Sequence, residues 1–124
     1  MNDESVLEKL RAICLALPEA TEGEGVGQPT FRVRDKIFAM RHPHETRTSL
    51  WCKAPPGLQE ALINSEPERF FRPPYVGQHG WIGIWLDVAL DWEFIRHLIT
   101  QSYQMTAPKR LIKLIANAAP SKPE

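Results

Sequence analysis

The stretch FRVRDKIFAMRHPHETRTSLWCKA, residues 31–54, decides the fold. Phe31-Arg32-Val33-Arg34 alternates apolar and charged residues, as a strand with one buried face does. Asp35 turns the chain, and Lys36 to Arg41 supply a second strand. The loop His42-Pro43-His44-Glu45 leads to a third, Thr48 to Ala54. Connections this short join antiparallel neighbours, so the stretch reads as a three-stranded meander.

Upstream, Ser5-Val6-Leu7-Glu8 has the form of a capping box. Val6, Leu10, Ile13, Cys14 and Leu17 then recur at helical spacing, which predicts a helix over 6–17, stopped by Pro18. Residues 18–29 hold three Gly, two Pro and three Glu and read as a loop. Downstream, Pro55-Pro56-Gly57 opens a short helix with Leu58, Ala61 and Leu62 on its apolar side. Phe70 to Val76 is a candidate strand that Pro73-Pro74 confine to a sheet edge. After the turn residues Gly77-Gln78-His79-Gly80, Trp81 to Asp87 is the clearest strand in the chain. Asp91 caps a helix whose buried stripe is Ile95, Leu98, Ile99 and Tyr103, with Leu90 stapled onto Ile95. Pro108 starts a last helical segment bearing Leu111, Ile112, Leu114 and Ile115. Residues 1–119 are expected to form one domain and residues 120–124 a frayed tail.

Composition bounds the function classes. The chain has 124 residues, 43% apolar and 24% charged, enough for one core without a metal or disulfide staple. Cys14 and Cys52 form no CxxC pair and fit buried free thiols. The first residues lack a basic start followed by an apolar run, and no stretch approaches the roughly 20 apolar residues of a membrane span. The expectation is a cytoplasmic protein without membrane contact. Net charge is zero but uneven: residues 32–53 carry Arg32, Arg34, Lys36, Arg41, Arg47 and Lys53 against Asp35 and Glu45. This excludes a global basic field for nucleic acid and leaves room for a local patch.

Several pieces recur together in a known pattern. Leu17-Pro18 closes the first helix, and Phe31-Arg32-Val33 is followed by Lys36-Ile37-Phe38-Ala39. Gly80-Trp81, a strand ending at Leu86-Asp87, and Ser102-Tyr103 late in a helix complete the set. In their order and spacing, over roughly residues 6–110, these pieces resemble the MmcQ/YjbR-like family. The resemblance implies an α+β fold, two-layer α-β(3)-α-β(2)-α with one antiparallel sheet and its helices on one face. It also implies a small "double wing" DNA-binding-like protein, a likeness of form that brings no catalytic constellation with it.

Strand alternation then nominates a site. Phe31, Val33, Leu50, Cys52, Ile82, Ile84 and Leu86 make the core set. The other parity places Arg32, Arg34, Trp51, Lys53, Trp81 and Trp85 on the face the helices leave bare. Cations interleaved with aromatics suit DNA or a single-stranded nucleic acid, with Arg32, Arg34, Lys36, Arg41, Arg47 and Lys53 on phosphate and Trp51, Trp81 and Trp85 stacking on bases. The alternatives are a protein-binding or chaperone-like adaptor surface using the same aromatics, or a purely structural use with the cations resting on the rings. Arg34 and Lys36 flank the tip of a basic hairpin, and Arg41 and Arg47 lie at the next turn, so each could reach phosphate like a wing; the alternative is an ordinary solvated edge.

His42-x-His44, with Cys52 or His79, is the only metal-like spacing and falls short of a zinc ligand set, so no metal or other cofactor is expected. No GxSxG, phosphate-cradling Gly-rich loop or HExxH is present, and nothing marks Glu19, Glu22 or Glu24 as buried carboxylates. A non-enzymatic protein is expected. The sequence carries no signal for its oligomeric state.

Overall fold

The computed structural model describes residues 3–25 and 27–118; the expected tail at 120–124 lies outside the described residues. Helix α1 (Asp3–Leu15) precedes four strands, β1 (Thr21–Gly25), β2 (Gln28–Val33), β3 (Lys36–His44) and β4 (Arg47–Cys52). Helix α2 (Leu58–Ser65), β5 (Phe70–Phe71) and β6 (Ile82–Trp85) follow, then α3 (Trp92–Thr106) and α4 (Lys109–Ala118). The strands form one sheet in the order β1-β2-β3-β4-β6-β5, antiparallel at every pairing. The expected two-layer α+β architecture is therefore present, with a further strand, β1.

The expected core parity holds. Phe31, Val33, Leu50, Cys52, Ile82, Ile84 and Leu86 are all buried, together with Val6, Leu10 and Ile13 of α1 and the α3 stripe. Leu111 of α4 is fully buried as well. Each such side chain contributes about 1.5–3 kcal/mol through the apolar surface it removes from water. Asp91 caps α3, its Oδ1 accepting from the Phe94 amide at 3.2 Å. Both thiols are buried; burial pushes Cys52 up to about 12 and moves Cys14 in the same direction.

One irregularity organises the sheet. Phe31 pairs with Ala39 and Arg32 with Ile37, which leaves Phe38 as an extra residue in β3. The bulge lets Phe38 and Ala39 both enter the core, and it resets the alternation beyond them. Met40, His42 and His44 consequently stand opposite Trp51, Ser49 and Arg47 and away from the helices. Ser102 of α3 secures the bulge: its hydroxyl donates to the Phe38 carbonyl and accepts from the Lys53 amide at 2.9 Å. A serine hydroxyl in a helix commonly bonds back to its own helix; here the bulge carbonyl claims it instead. Tyr103 packs edge-on against Phe38, with centroids 5.4 Å apart, and donates to the Pro18 carbonyl at 2.7 Å.

Other boundaries shift for physical reasons. The presumed loop at 18–29 contains β1, whose Gly and Glu residues show no apolar alternation because the strand sits at the sheet edge. Helix α1 already includes Ser5, so Ser5 is not its cap, and it ends at Leu15 before a turn in which the Leu17 amide donates to the Cys14 carbonyl. Strand β3 continues through His42-Pro43-His44, leaving Glu45 and Thr46 as the turn. Strand β5 stops at Phe71, at the edge the prolines demanded, and β6 spans only Ile82–Trp85. In α2 the buried residue is Gln59, which donates to the Gly77 and Trp81 carbonyls, while Ala61 is exposed.

Two predictions follow from these local arrangements. Ser102→Ala strands a carbonyl and an amide between the layers and should cost about 1–3 kcal/mol. Urea denaturation reads this directly, and an unchanged midpoint would refute the role given to the hydroxyl. Both two-residue turns of the meander place side-chain-bearing residues at positive φ: Arg34 at 51°, Asp35 at 67°, Glu45 at 53° and Thr46 at 64°. For β-branched Thr46 the strain outweighs the chain entropy of glycine, so Thr46→Gly should stabilise by about 0.5–1 kcal/mol. A lower melting temperature for that variant would contradict the assignment.

Candidate functional site

The bare face of the sheet is built from alternate residues of four strands. Strand β3 contributes Met40, His42 and His44, β4 contributes Ser49 and Trp51, β6 contributes Gly83 and Trp85, and β5 contributes Phe71. Among the described residues no helix covers this face, yet Trp51 is only 4% exposed and Trp85 only 6%. Side-chain rings do the covering. His42 stacks on Trp51 with centroids 4.1 Å apart and 22° between planes. Phe71 stacks on Trp85 at 4.2 Å and lies parallel to His44 at 4.6 Å. Its ring also rests over Gly83, where a Cβ would collide with it. The Arg47 guanidinium lies 3.8 Å from the centre of the Trp85 ring.

Hydrogen bonds fix this layer from below. Trp51 Nε1 donates to Ser49 Oγ at 2.9 Å, and Ser49 Oγ donates to the His42 carbonyl at 2.6 Å. Arg47 grips Asp87 with both ends of its fork, at 2.8 and 2.7 Å. That contact holds the Asp87 carboxyl below the usual carboxylate range, against the small opposing effect of burial.

The structure divides the sequence candidates. Trp51 and Trp85 share the bare face but are buried, so neither offers a free ring in this state. Trp81 is half-buried and continues the same alternation as Gly83. Arg34 is a correction: the left-handed turn swings it out of strand alternation to Glu19 at 2.7 Å, off the bare face. Arg41 stands opposite Leu50 and reaches Gln28 at 3.3 Å, and Arg47 is committed to Asp87 and Trp85. Arg32 lies half-buried along Thr30, its Nε 3.3 Å from Thr30 Oγ1. Lys36 is exposed at the start of β3, and Lys53 follows β4 on the alternation that carries Trp51. Among the described residues, Arg32, Lys36 and Lys53 have no ion-pair partner within 4.0 Å. Burial, and then the charge of Lys36, push the Lys53 ammonium below its ordinary range. Sequence reasoning missed His42, His44 and Phe71 as ring covers. The histidines fall outside the strand expected from sequence, which ends at Arg41 with His42-Pro43-His44-Glu45 as a loop, whereas β3 pairs through His44.

Among the described residues no group of three His, Cys, Asp or Glu side chains converges as a metal site, and no helix is long and apolar enough to cross a membrane. A cleft of about 300 Å³ opens on the other side of β6, between Phe70, Ile84, Phe94 and Ile95. Arg69, which also lines it, is held by Glu66 at 3.0 Å and by the Ala89 carbonyl at 2.6 Å.

An antiparallel sheet packed by helices on one face and by its own rings on the other makes this a two-layer α+β domain. Residues 15–105 match the family model described as YjbR, and the chain belongs to that family. Its fold is similar to the crystal structure of Deinococcus radiodurans protein DR2400, whose family-model domain is DUF419, with a TM-score of 0.73 and 20% identity over 89% of this chain and 87% of that one. A protein from Pseudomonas syringae is similar at a TM-score of 0.60 and 18% identity, over 86% and 99% of the two chains. No match was found among curated proteins.

The Arg47–Asp87 pair gives a pH signature. A carboxyl with a lowered folded pKa adds stability that is complete above its unfolded value, near 3.9, and is lost as pH falls through the folded one. The stability difference between wild type and Asp87→Asn should therefore be present at neutral pH and close below about pH 4. Thermal melts across that range check it, and a gap independent of pH would exclude the ion pair as its source.

Proposed function

We propose that this YjbR-family protein is a non-enzymatic cytoplasmic protein that binds single-stranded nucleic acid weakly through phosphate. The contacts fall to Arg32 and Lys53, on the alternation of the bare face, and to Lys36 at the turn where β3 begins, with Trp81 on the same alternation as Gly83. The observation that carries this reading is that Arg32, Lys36 and Lys53 have no ion-pair partner within 4.0 Å among the described residues, whereas Arg34 and Arg47 are held by carboxylates. An anion would supply the missing partner and would favour the charged Lys53 ammonium, which burial and then the charge of Lys36 disfavour. The tethered arginines, Arg34 and Arg47, are left out of the phosphate set because each already holds a carboxylate. Three cations on a chain of zero net charge favour short, salt-sensitive engagement.

The test is a titration with oligothymidylate at a series of salt concentrations. Three phosphate contacts on a single strand give a slope of log K against log salt of about −2. Lys36→Ala/Lys53→Ala should bring that slope to about −0.7, with the fold unchanged by circular dichroism. Salt-independent binding, or none at high micromolar strand, would end the reading.

One observation favours a second reading, a protein-binding adaptor. Tyr75 is 87% exposed at a positive φ of 67°, an aromatic side chain held out to solvent on the loop after β5. Its surface differs from the aromatic face first considered, which is sealed. Loss of a salt-insensitive protein partner in Tyr75→Ala would support the adaptor instead.

A further inference from the structure

We propose that Phe71 is a displaceable plug in a nucleobase slot over Gly83, a proposal that rests on the phosphate-binding reading above. The slot is defined by what the plug touches. Its floor is Gly83, which lacks the side chain that would fill the space, and its walls are Trp85 and His44. The Phe71 ring lies parallel to His44, at 2°, and at 29° to Trp85, with the centroids of those two rings 5.7 Å apart, so it stacks on a platform of adjoining rings as an unpaired base stacks on aromatic side chains. A base of similar thickness would take the same place once the ring leaves.

The plug is weakly tied. Strand β5 has two residues: Phe70 is anchored in the core, while Phe71 is partly exposed and lies at the edge of the sheet. Pro73, two residues on, is fully buried and anchors the chain, so it is the Phe71 side chain and not the strand that swings clear of Gly83. The slot is also in reach of the proposed phosphate site. Gly83 stands opposite Trp51, and Lys53 lies two residues further along β4, about 7 Å at the rise of an extended strand. A nucleotide with its phosphate at Lys53 thus has its base at Gly83. Trp85, buried in the free protein, becomes the stacking partner only after Phe71 moves.

The experiment compares wild type with Phe71→Ala, each titrated with oligothymidylate and with an abasic phosphodiester strand of equal length, following tryptophan fluorescence at low salt. The alanine variant should bind oligothymidylate about tenfold tighter than wild type does. It should also show new quenching, while binding the abasic strand as wild type does. A folded variant with no gain, or with the same gain for both strands, overturns the plug. If the alanine variant does not fold, Phe71→Leu keeps an apolar side chain over Gly83 without a ring and faces the same two outcomes. Failure of the abasic strand to bind either protein sinks the phosphate reading alone. Adenosine then decides the slot: uptake by the variant and not by wild type supports it, and uptake by neither overturns it.

Discussion

A single serine hydroxyl joins the two layers of this protein at the point where the sheet departs from regularity. Ser102 reaches from α3 to the carbonyl of Phe38 and takes the amide of Lys53 in return. A bulged residue has no ladder partner, and a buried backbone group without one is costly. The hydroxyl therefore makes the bulge tolerable, and the bulge assigns the faces. Two consecutive apolar residues, Phe38 and Ala39, go inward, and His42 and His44 go outward onto the tryptophans. A regular β3 would turn those histidines toward the helices and uncover Trp51 and Trp85.

What could be read from sequence tracks how far each feature depends on local pattern. The core set of β2, β4 and β6 and the stripe of α3 were legible because burial writes a period of two or of 3.6 into the chain. Strand β1 was not, since Thr21-Glu22-Gly23-Glu24-Gly25 has no fully buried side chain and joins the sheet through its backbone, Glu22 reaching out to Arg11 of α1. The bulge leaves a trace in the adjacent apolar pair, but nothing in the chain announces that Ser102, sixty-four residues away, will accept its consequence. Arg34 misled for a related reason: alternation was extended one residue too far, into a turn where φ becomes positive.

Charge was the other limit. A count of six cations over 32–53 treats them as equals, and the fold does not. Arg34 and Arg47 are drawn to Glu19 and Asp87, carboxylates that lie 15 and 40 residues from them in the chain. Guanidinium groups suit such forked partners, whereas ammonium groups remain as point charges facing water. The useful distinction among the cations is thus between Arg34 and Arg47, each held by a carboxylate, and Arg32, Lys36 and Lys53, which are not, and only the folded chain draws it.

The two ends of the sheet share a property that bears on how copies of this protein behave beside one another. A strand edge presents open amides and carbonyls to any extended chain that drifts past. At one end, β1 is five residues long, carries two glutamates and is interrupted by glycine. At the other, β5 is two residues long and runs into Pro73 and Pro74. Neither edge gives an incoming strand more than a brief, poorly matched ladder. Short edges of this kind disfavour the addition of a seventh strand to the sheet.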